Sequence, residues 1–381
     1  MIKVLQIGMT RNIGGLETYL MQQFNHLDYN KVKYDFVNIT GEYDIAFSDE
    51  IKSKGSKIYN VISRHSNPLL HYYQWIKILF ENKGKYAAIV LNSNSLEYVF
   101  PIFIAKIFKI PVRIMHSHNT SWEHKIGFGR KCLLKINRIL LNFSVTDYWA
   151  CSKAAGIWMF GENKSFRIVH NAIEVQKYKY NSVKRNEIRK ILKLKGKYVV
   201  GHVGRFTYQK NHDFLIDIFK EVSDIEPNAV LLLVGDAVGD LSYINNIKDK
   251  VKKLKIEDKV KFLGMRKDVP EIMQAMDCFV LPSHFEGLPL VGIEAQAAGL
   301  KCFFSDVITE EVGITNLSQF ISLKDSAKKW AKKIIENKDY IRKDTSNEIK
   351  NAGYEIKKET KKVEDFFLNI KFDDRNLVKK N

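Results

Sequence analysis

Four cysteines are all this 381-residue chain contains, and no two of them form a CxxC pair. Cys132, Cys151, Cys278 and Cys302 are scattered, three of them in apolar surroundings, so the expectation is free thiols in a reducing compartment with no disulfide framework and no metal spacing. Long apolar runs are missing as well. Spanning a bilayer takes roughly 18–20 uninterrupted apolar residues, and the nearest stretch, Tyr98 to Ala105, is cut short by Lys106 and Lys109. The N-terminus, Met1 to Gly8, runs straight into a glycine turn without a small-residue cleavage site, so it reads as a first core strand and not a signal peptide. A cytosolic protein is expected. The GxGxxG fingerprint of dinucleotide binders is absent, which argues against an oxidoreductase. No internal sequence repeat or low-complexity segment is found.

Acid is also in short supply: Asp and Glu number 43 against 61 Lys and Arg, a net charge of +18. The shortage is uneven. Between Lys52 and Arg138 there are fifteen Lys and Arg against Glu81, Glu97 and Glu123 alone. The same segment carries Trp75, Ile76, Ile78, Leu79 and Phe80, then Phe100 to Phe108, on amphipathic helical patterns, a combination that suits docking to an anionic membrane surface. Nucleic-acid binding is the rival account, but no recognised module is present and the basic residues are mixed with deep apolar runs, so no nucleic-acid partner is expected. A general bias toward Lys, Ile and Asn is the third account.

What the chain does have is a series of short apolar runs, most of them followed by a helical pattern. Strands are expected at Ile2 to Ile7, Tyr34 to Ile39, near Ile58, Ala87 to Leu91, Val112 to Met115 and Val145 to Ala150, then at Tyr198 to Val203, Ala229 to Val234, Val260 to Leu263, Cys278 to Leu281, Cys302 to Ser305 and Phe320 to Leu323. Strand-helix alternation at this spacing means parallel sheets with crossover helices, an α/β chain of two Rossmann-like domains. With 45% hydrophobic residues there is material for two cores. The expected division is 1–178 for the first domain, 179–196 for a linker, 197–354 for the second domain, 355–369 for a C-terminal helix and 370–381 for a frayed tail.

The most informative run is Ser283-His284-Phe285-Glu286-Gly287-Leu288-Pro289-Leu290-Val291-Gly292-Ile293-Glu294. Two carboxylates bracket a Gly-Pro turn that follows the strand ending at Leu281-Pro282, at the sheet edge where α/β folds bind ligands. Free N–H groups of Gly287 and its neighbour Leu288 would face an anion at the positive end of a helix dipole, while the carboxylates accept from sugar hydroxyls. Glu286 as a cap and Glu294 as a solvated position is the blander account. Glu294, however, stands in a helix otherwise made largely of Leu, Val, Gly and Ala, and a carboxylate there needs a partner.

This segment, Asp277 through Gly299, resembles the signature of retaining GT-B-fold glycosyltransferases of family 4, which carry two Glu separated by seven residues. Other pieces agree in order: Gly14-Gly15-Leu16-Glu17, His118-Asn119, Asn171-Ala172-Ile173-Glu174, Gly204-Arg205 with Lys210, Leu233-Val234-Gly235-Asp236 and Phe262-Leu263-Gly264. The resemblance implies a GT-B fold, two Rossmann-like domains facing a central cleft, with the C-terminal helix crossing back to the first. It implies a retaining, metal-independent transfer of a sugar from a nucleotide diphosphate, expected to be UDP, to a lipid-linked saccharide in capsule or exopolysaccharide synthesis, by an enzyme without a cofactor; the basic segment Lys52 to Arg138 would hold that enzyme at the inner face of the membrane.

Arg205 and Lys210, at a strand-to-helix turn, would hold the diphosphate in place of a metal ion. By the same resemblance Glu294 holds ribose hydroxyls, Glu286 a sugar hydroxyl, and Gly14 and Gly15 let the backbone approach the phosphates, with Glu17 equally well explained as a helix-start acid. His118 is expected to touch the transferred sugar, with His116 the alternative. The shape around His284 and Phe285, with loops of the first domain, would set donor and acceptor. Two departures stand out. The usual Asn-Gly turn is Asn171-Ala172, so either the backbone tolerates a Cβ or the Asn takes a positive φ, and the usual His-x-His is replaced by Leu91-Asn92-Ser93-Asn94. A non-catalytic scaffold of the same fold and a nucleotide-sugar epimerase are the competing functions.

Overall fold

The structure is a computed structural model that describes residues 1–41, 43–120, 127–237 and 239–370. The tail expected from 370 onward therefore lies, but for its first residue, outside the described residues. Two compact units divide the chain: Met1–Ala172 with the C-terminal segment from Ile356, and Ile173–Glu355.

The first unit is built on seven parallel strands, β1 (Ile2–Ile7), β2 (Val32–Asn38), β3 (Ile58–Asn60), β4 (Ala88–Ser93), β5 (Val112–Ser117), β6 (Asp147–Ala150) and β7 (Arg167–Ile168), in the order β3-β2-β1-β4-β5-β6-β7. The second has six parallel strands, β8 (Tyr198–Val203), β9 (Ala229–Val234), β10 (Val260–Phe262), β11 (Cys278–Leu281), β12 (Lys301–Ser305) and β13 (Ser318–Ile321), in the order β10-β9-β8-β11-β12-β13. Both are Rossmann-like. Strands buried on both faces read as continuous apolar runs, and β9, Ala-Val-Leu-Leu-Leu-Val, is buried at every position. In each sheet the order reverses beside the first strand, between β1 and β4 and between β8 and β11, and the crevice outside the carboxyl ends at that point is where such sheets take ligands.

The second core is continuous across the sheet and its helices: Val200, Leu231, Val280 and Phe303 from strands meet Phe219 and Trp330 from helices. Each such buried side chain is worth about 1.5–3 kcal/mol. Gly201 is required inside β8 because a Cβ there would lie 2.0 Å from the Met276 sulfur.

Residues 173–196 cluster with the second unit. The helix Ser182–Ile191 has no buried residue, so nothing in its apolar pattern signals the attachment. Its arginines make it: Arg185 donates to the Met276 carbonyl at 2.7 Å and Arg189 to the Ala275 carbonyl at 2.8 Å, and both pair with Asp277. The helix Ile356–Leu368 belongs to the first unit, where Phe367 packs edge-on against Tyr34 and beside Trp149. Neither Asn171 nor Ala172 takes a positive φ, so the backbone at that departure tolerates its Cβ.

Candidate functional site

At the reversal point of the second sheet, the chain leaving β8 meets the chain leaving β11. Lys210 Nζ donates to Glu286 Oε1 at 2.6 Å, Ser283 Oγ donates to the same oxygen at 2.8 Å, and Gln209 Nε2 donates to Glu286 Oε2 at 3.2 Å. The two loops are clipped by backbone as well: His284 N–H donates to the Gln209 carbonyl at 2.8 Å, and Asn211 Nδ2 to the Pro282 carbonyl at 3.0 Å. Asn211 adopts the left-handed region, φ 54°, to turn the 3-10 segment Tyr208–Lys210 into the helix His212–Ile225, a conformation Asn tolerates better than most residues. The Lys210 and Glu286 side chains are only 15% and 7% exposed, so this is a largely buried ion pair.

Gly204 explains why Lys210 can lie there. A Cβ at Gly204 would come within 3.1 Å of the Lys210 methylenes, and one at Gly235 (φ 133°) would strike the Gly204 carbonyl oxygen at 2.0 Å. Two glycines thus let the ends of β8 and β9 and the lysine stem share one small space. Arg205 follows Gly204 and is exposed. Beneath them His202 is fully buried; burial pushes its imidazole down to about 4, with Lys210 adding to the effect, and its Nδ1 lies 2.8 Å from the Val280 carbonyl.

Gly287 and Leu288 form the buried loop that leads to the helix Leu290–Ala297, for which Pro289 is the cap residue and no side chain caps the first turn. Glu294 is on this helix and buried. Burial pushes its carboxyl up to about 7, against the pull of the Tyr178 hydroxyl and of the Lys210 charge. The partner that the sequence demanded for Glu294 is therefore Tyr178, from the short helix Val175–Tyr178.

In the first unit, Gly14 caps the helix Gly15–His26 with no side chain closing its first turn. Glu17 is buried and accepts from Thr10 N–H at 3.1 Å and Thr10 Oγ1 at 2.8 Å, tying down the loop after β1. His116 is 1% exposed, packed edge-on against Tyr19 and Trp149 in the core. His118 lies just past β5 and remains partly exposed. Asn92 Nδ2 donates to Gln6 Oε1 and to the Ile7 carbonyl, both at 3.0 Å, which turns its Oδ1 toward His118 Nε2 at 3.2 Å. The proton is then on Nε2, leaving Nδ1 as a lone pair without a partner among the described residues. Burial pushes the His118 pKa down to about 3, with Asn171 acting in the opposite direction, so the ring is neutral at physiological pH. Asn92, from the segment that departs from the usual His-x-His, thus orients the histidine.

The structure brings Lys210, Glu286 and Glu294 together at one edge of the second sheet, leaves Arg205 exposed in the loop after β8, and puts Gly14, Gly15 and His118 at the corresponding edge of the first. Among the described residues no group of three or more His, Cys, Asp or Glu could hold a metal ion. Compared with known proteins, residues 183–355 match the family described as "Glycosyl transferases group 1". The chain is also 31% identical, over 339 residues, to the "Putative glycosyltransferase EpsF" of Bacillus subtilis (strain 168), covering 87% of this chain and 86% of that protein. This chain belongs to the group 1 glycosyltransferases. The glycosyltransferase is further 29% identical over 214 residues, 53% of this chain and 54% of the relative, to an Escherichia coli UDP-Gal:α-D-GlcNAc-diphosphoundecaprenol α-1,3-galactosyltransferase. Among solved structures, Anabaena HepE in complex with UDP superimposes with a TM-score of 0.78 at 19% identity, over 96% of this chain and 99% of that one. At that identity the likeness is one of fold, the GT-B fold of this glycosyltransferase.

Sequence reasoning missed Ser283, Gln209 and Tyr178. Ser283 had a signal, since a hydroxyl three residues ahead of a buried acid is placed to donate back to it. The other two reach the site only through tertiary structure.

Proposed function

We propose that this glycosyltransferase moves a sugar, with retention and without a metal ion, from a nucleotide-diphosphate donor, expected to be a UDP-sugar, to a lipid-linked saccharide in capsule or exopolysaccharide synthesis. The observation that carries the reading is the Lys210–Glu286 pair, held by Ser283 and Gln209 at the sheet's reversal point. A structural ion pair gains little from such a location. A cation that places one N–H on a carboxylate keeps two donors for phosphate oxygens, and Arg205 adds a planar fork. In this reading Arg205, Lys210 and the N–H groups of Gly287 and Leu288 hold the diphosphate. Glu294 takes the ribose hydroxyls and Glu286 a sugar hydroxyl. The bond from the anomeric carbon to the diphosphate oxygen breaks, the acceptor oxygen bonds to that carbon on the same face, and the acceptor proton passes to the departing diphosphate. The HepE complexes with UDP and UDP-glucose and the diphosphoundecaprenol substrate in the Escherichia coli relative's name support the donor and acceptor classes.

A thermal-shift panel of UDP-, GDP- and ADP-glucose tests the donor. A ligand at about a hundred times its Kd adds about 2.7 kcal/mol of stability, and UDP-glucose is expected to give the largest shift. No shift with any nucleotide would sink the reading. Binding without turnover would favour the scaffold, and an altered sugar nucleotide without acceptor would favour the epimerase. Glu286→Ala is expected to reduce kcat more than donor affinity, provided circular dichroism shows it folded.

Membrane association has its support in the first unit. Trp75, Ile78, Leu79, Ile102 and Ile104, which the sequence offered to the membrane, are core residues. Ile76, Phe80 and Ile107, from the same runs, are exposed. The helices Pro68–Glu81, Phe100–Ile107 and Phe128–Ser144 pack in succession and expose Leu69, Tyr73, Phe80, Phe128, Ile139 and Phe143. The last helix has Arg130, Lys131, Lys135 and Arg138 and no acid. No helix among the described residues is long and apolar enough to cross a membrane. Large apolar side chains interleaved with cations fit an interfacial helix on an anionic bilayer. The protein is expected to sediment with phosphatidylglycerol vesicles at low salt but not with phosphatidylcholine. Replacing Phe128, Ile139 and Phe143 by Ser should release it while UDP binding is retained; unchanged sedimentation would remove this helix from the docking surface.

A further inference from the structure

Tyr208 and His284 stack with ring centroids 4.4 Å apart and planes 18° from parallel. We infer that this pair is a platform for the flat face of a pyranose ring at the second unit's site. The inference rests on the donor reading above and says which part of the substrate the site's rim takes.

Tyr208 is 65% exposed, in a turn whose neighbours Thr207, Gln209 and Lys210 are half-buried. It stands two residues before Lys210, and His284 stands two residues before Glu286, so the stack runs alongside the bonded pair. It is also rigidly backed. His284 N–H donates to the Gln209 carbonyl at 2.8 Å, and the Gln209 amide reaches both the Phe285 carbonyl at 3.1 Å and Glu286 at 3.2 Å. The backbone under the pair is therefore fixed and the tyrosine ring rests on the imidazole, where an exposed tyrosine on a free loop would sample more rotamers and lose that entropy on binding.

The electrostatics point to a saccharide. Burial lowers the His284 pKa, so the imidazole beneath the tyrosine is uncharged at neutral pH and the stack is not a cation–π pair. Tyr208 keeps an electron-rich face turned away from His284, with its quadrupole unsatisfied. A pyranose offers one face lined by C–H groups of partial positive charge and a rim of hydroxyls. The C–H face matches the ring, and the Tyr208 hydroxyl, which makes no hydrogen bond among the described residues, is left for a sugar hydroxyl. A diphosphate, being anionic, is repelled by the same face and left to Lys210 and Arg205.

The ring could come from the donor or from the acceptor, and calorimetry with three probes separates them. UDP, UDP-glucose, and methyl α-glucopyranoside added to UDP-saturated protein are titrated into wild type, Tyr208→Ala, Tyr208→Phe and His284→Ala. An aromatic contact of this kind is worth roughly three- to tenfold in affinity. If the donor sugar stacks, Tyr208→Ala weakens UDP-glucose by that factor and leaves UDP unchanged, Tyr208→Phe recovers most of it, and His284→Ala lies between. If the acceptor ring stacks, both nucleotides bind as before and methyl glucoside affinity falls. Equal weakening of UDP and UDP-glucose would mean that a nucleobase occupies the platform and would overturn the inference, as would unchanged binding of all three probes. Wild-type protein that binds neither nucleotide would bring down the donor reading, and the platform with it.

Discussion

Lys210→Ala is expected to slow sugar transfer by roughly 10²–10³-fold, the usual effect of removing one preorganised donor at a developing anion. The loss should fall on kcat more than on donor affinity, because charge on the leaving diphosphate grows as its bond to the sugar breaks. Removing the lysine also strands Glu286, whose side chain is 7% exposed. Breaking a buried pair from one side is destabilising by about 3–5 kcal/mol, so part of the activity loss could be misread as unfolding. The double variant Lys210→Met with Glu286→Gln removes both charges and should recover much of the stability and none of the activity. EDTA should leave the wild-type rate unchanged. Inhibition by EDTA reversed by Mg²⁺ or Mn²⁺ would mean that Lys210 and Arg205 do not take the metal's place, and a Lys210→Ala enzyme within threefold of wild type would remove the lysine from the mechanism.

The architecture was readable because parallel strands buried on both faces leave unbroken apolar runs. The run at Ala229 to Val234 coincides with β9 to the residue. The two-residue β7, Arg167–Ile168, has both positions exposed and carries no such mark. A charged helix was readable at Ser182–Ile191, but its attachment to the second unit was not, because it is fastened by guanidinium groups to carbonyls and not by an apolar face. At the site, the anomaly of Glu294 in an apolar helix was visible, but Tyr178 lies 116 positions away in the chain and only the fold supplies it. Strand alternation went only halfway between His116 and His118, since both lie on one side and both touch Tyr19; Trp149 packs against the first, while the second stands past the strand's end and is partly exposed. Periodicity offered Trp75 and Ile102 together with Phe80 as exposed apolar surface, and the fold buries the first two and exposes the third, because an amphipathic pattern does not say which neighbour covers the apolar side.

Glu294 should make donor binding release a proton. Its carboxyl is pushed up to about 7 by burial, from an ordinary value of 4.5, so near neutral pH about half the molecules hold the proton. Ribose hydroxyls donating to the carboxylate favour the charged form, and the bound state should therefore expel that fraction, measurable as a buffer-dependent enthalpy when UDP is titrated in phosphate and in Tris. The same shift fixes the sign of the apo protein's pH dependence. The folded state holds a proton that the unfolded chain gives up above 4.5, so the stability contributed by the protonated form is complete below 4.5 and lost as pH rises through about 7, a change on the order of 3 kcal/mol. Glu294→Gln keeps the shape and cannot titrate. It should flatten that dependence, abolish proton release and weaken UDP binding by roughly 10–100-fold, the cost of losing hydrogen bonds to a charged acceptor. A Gln variant that binds UDP as tightly as wild type and still releases the proton would take Glu294 out of the nucleotide site.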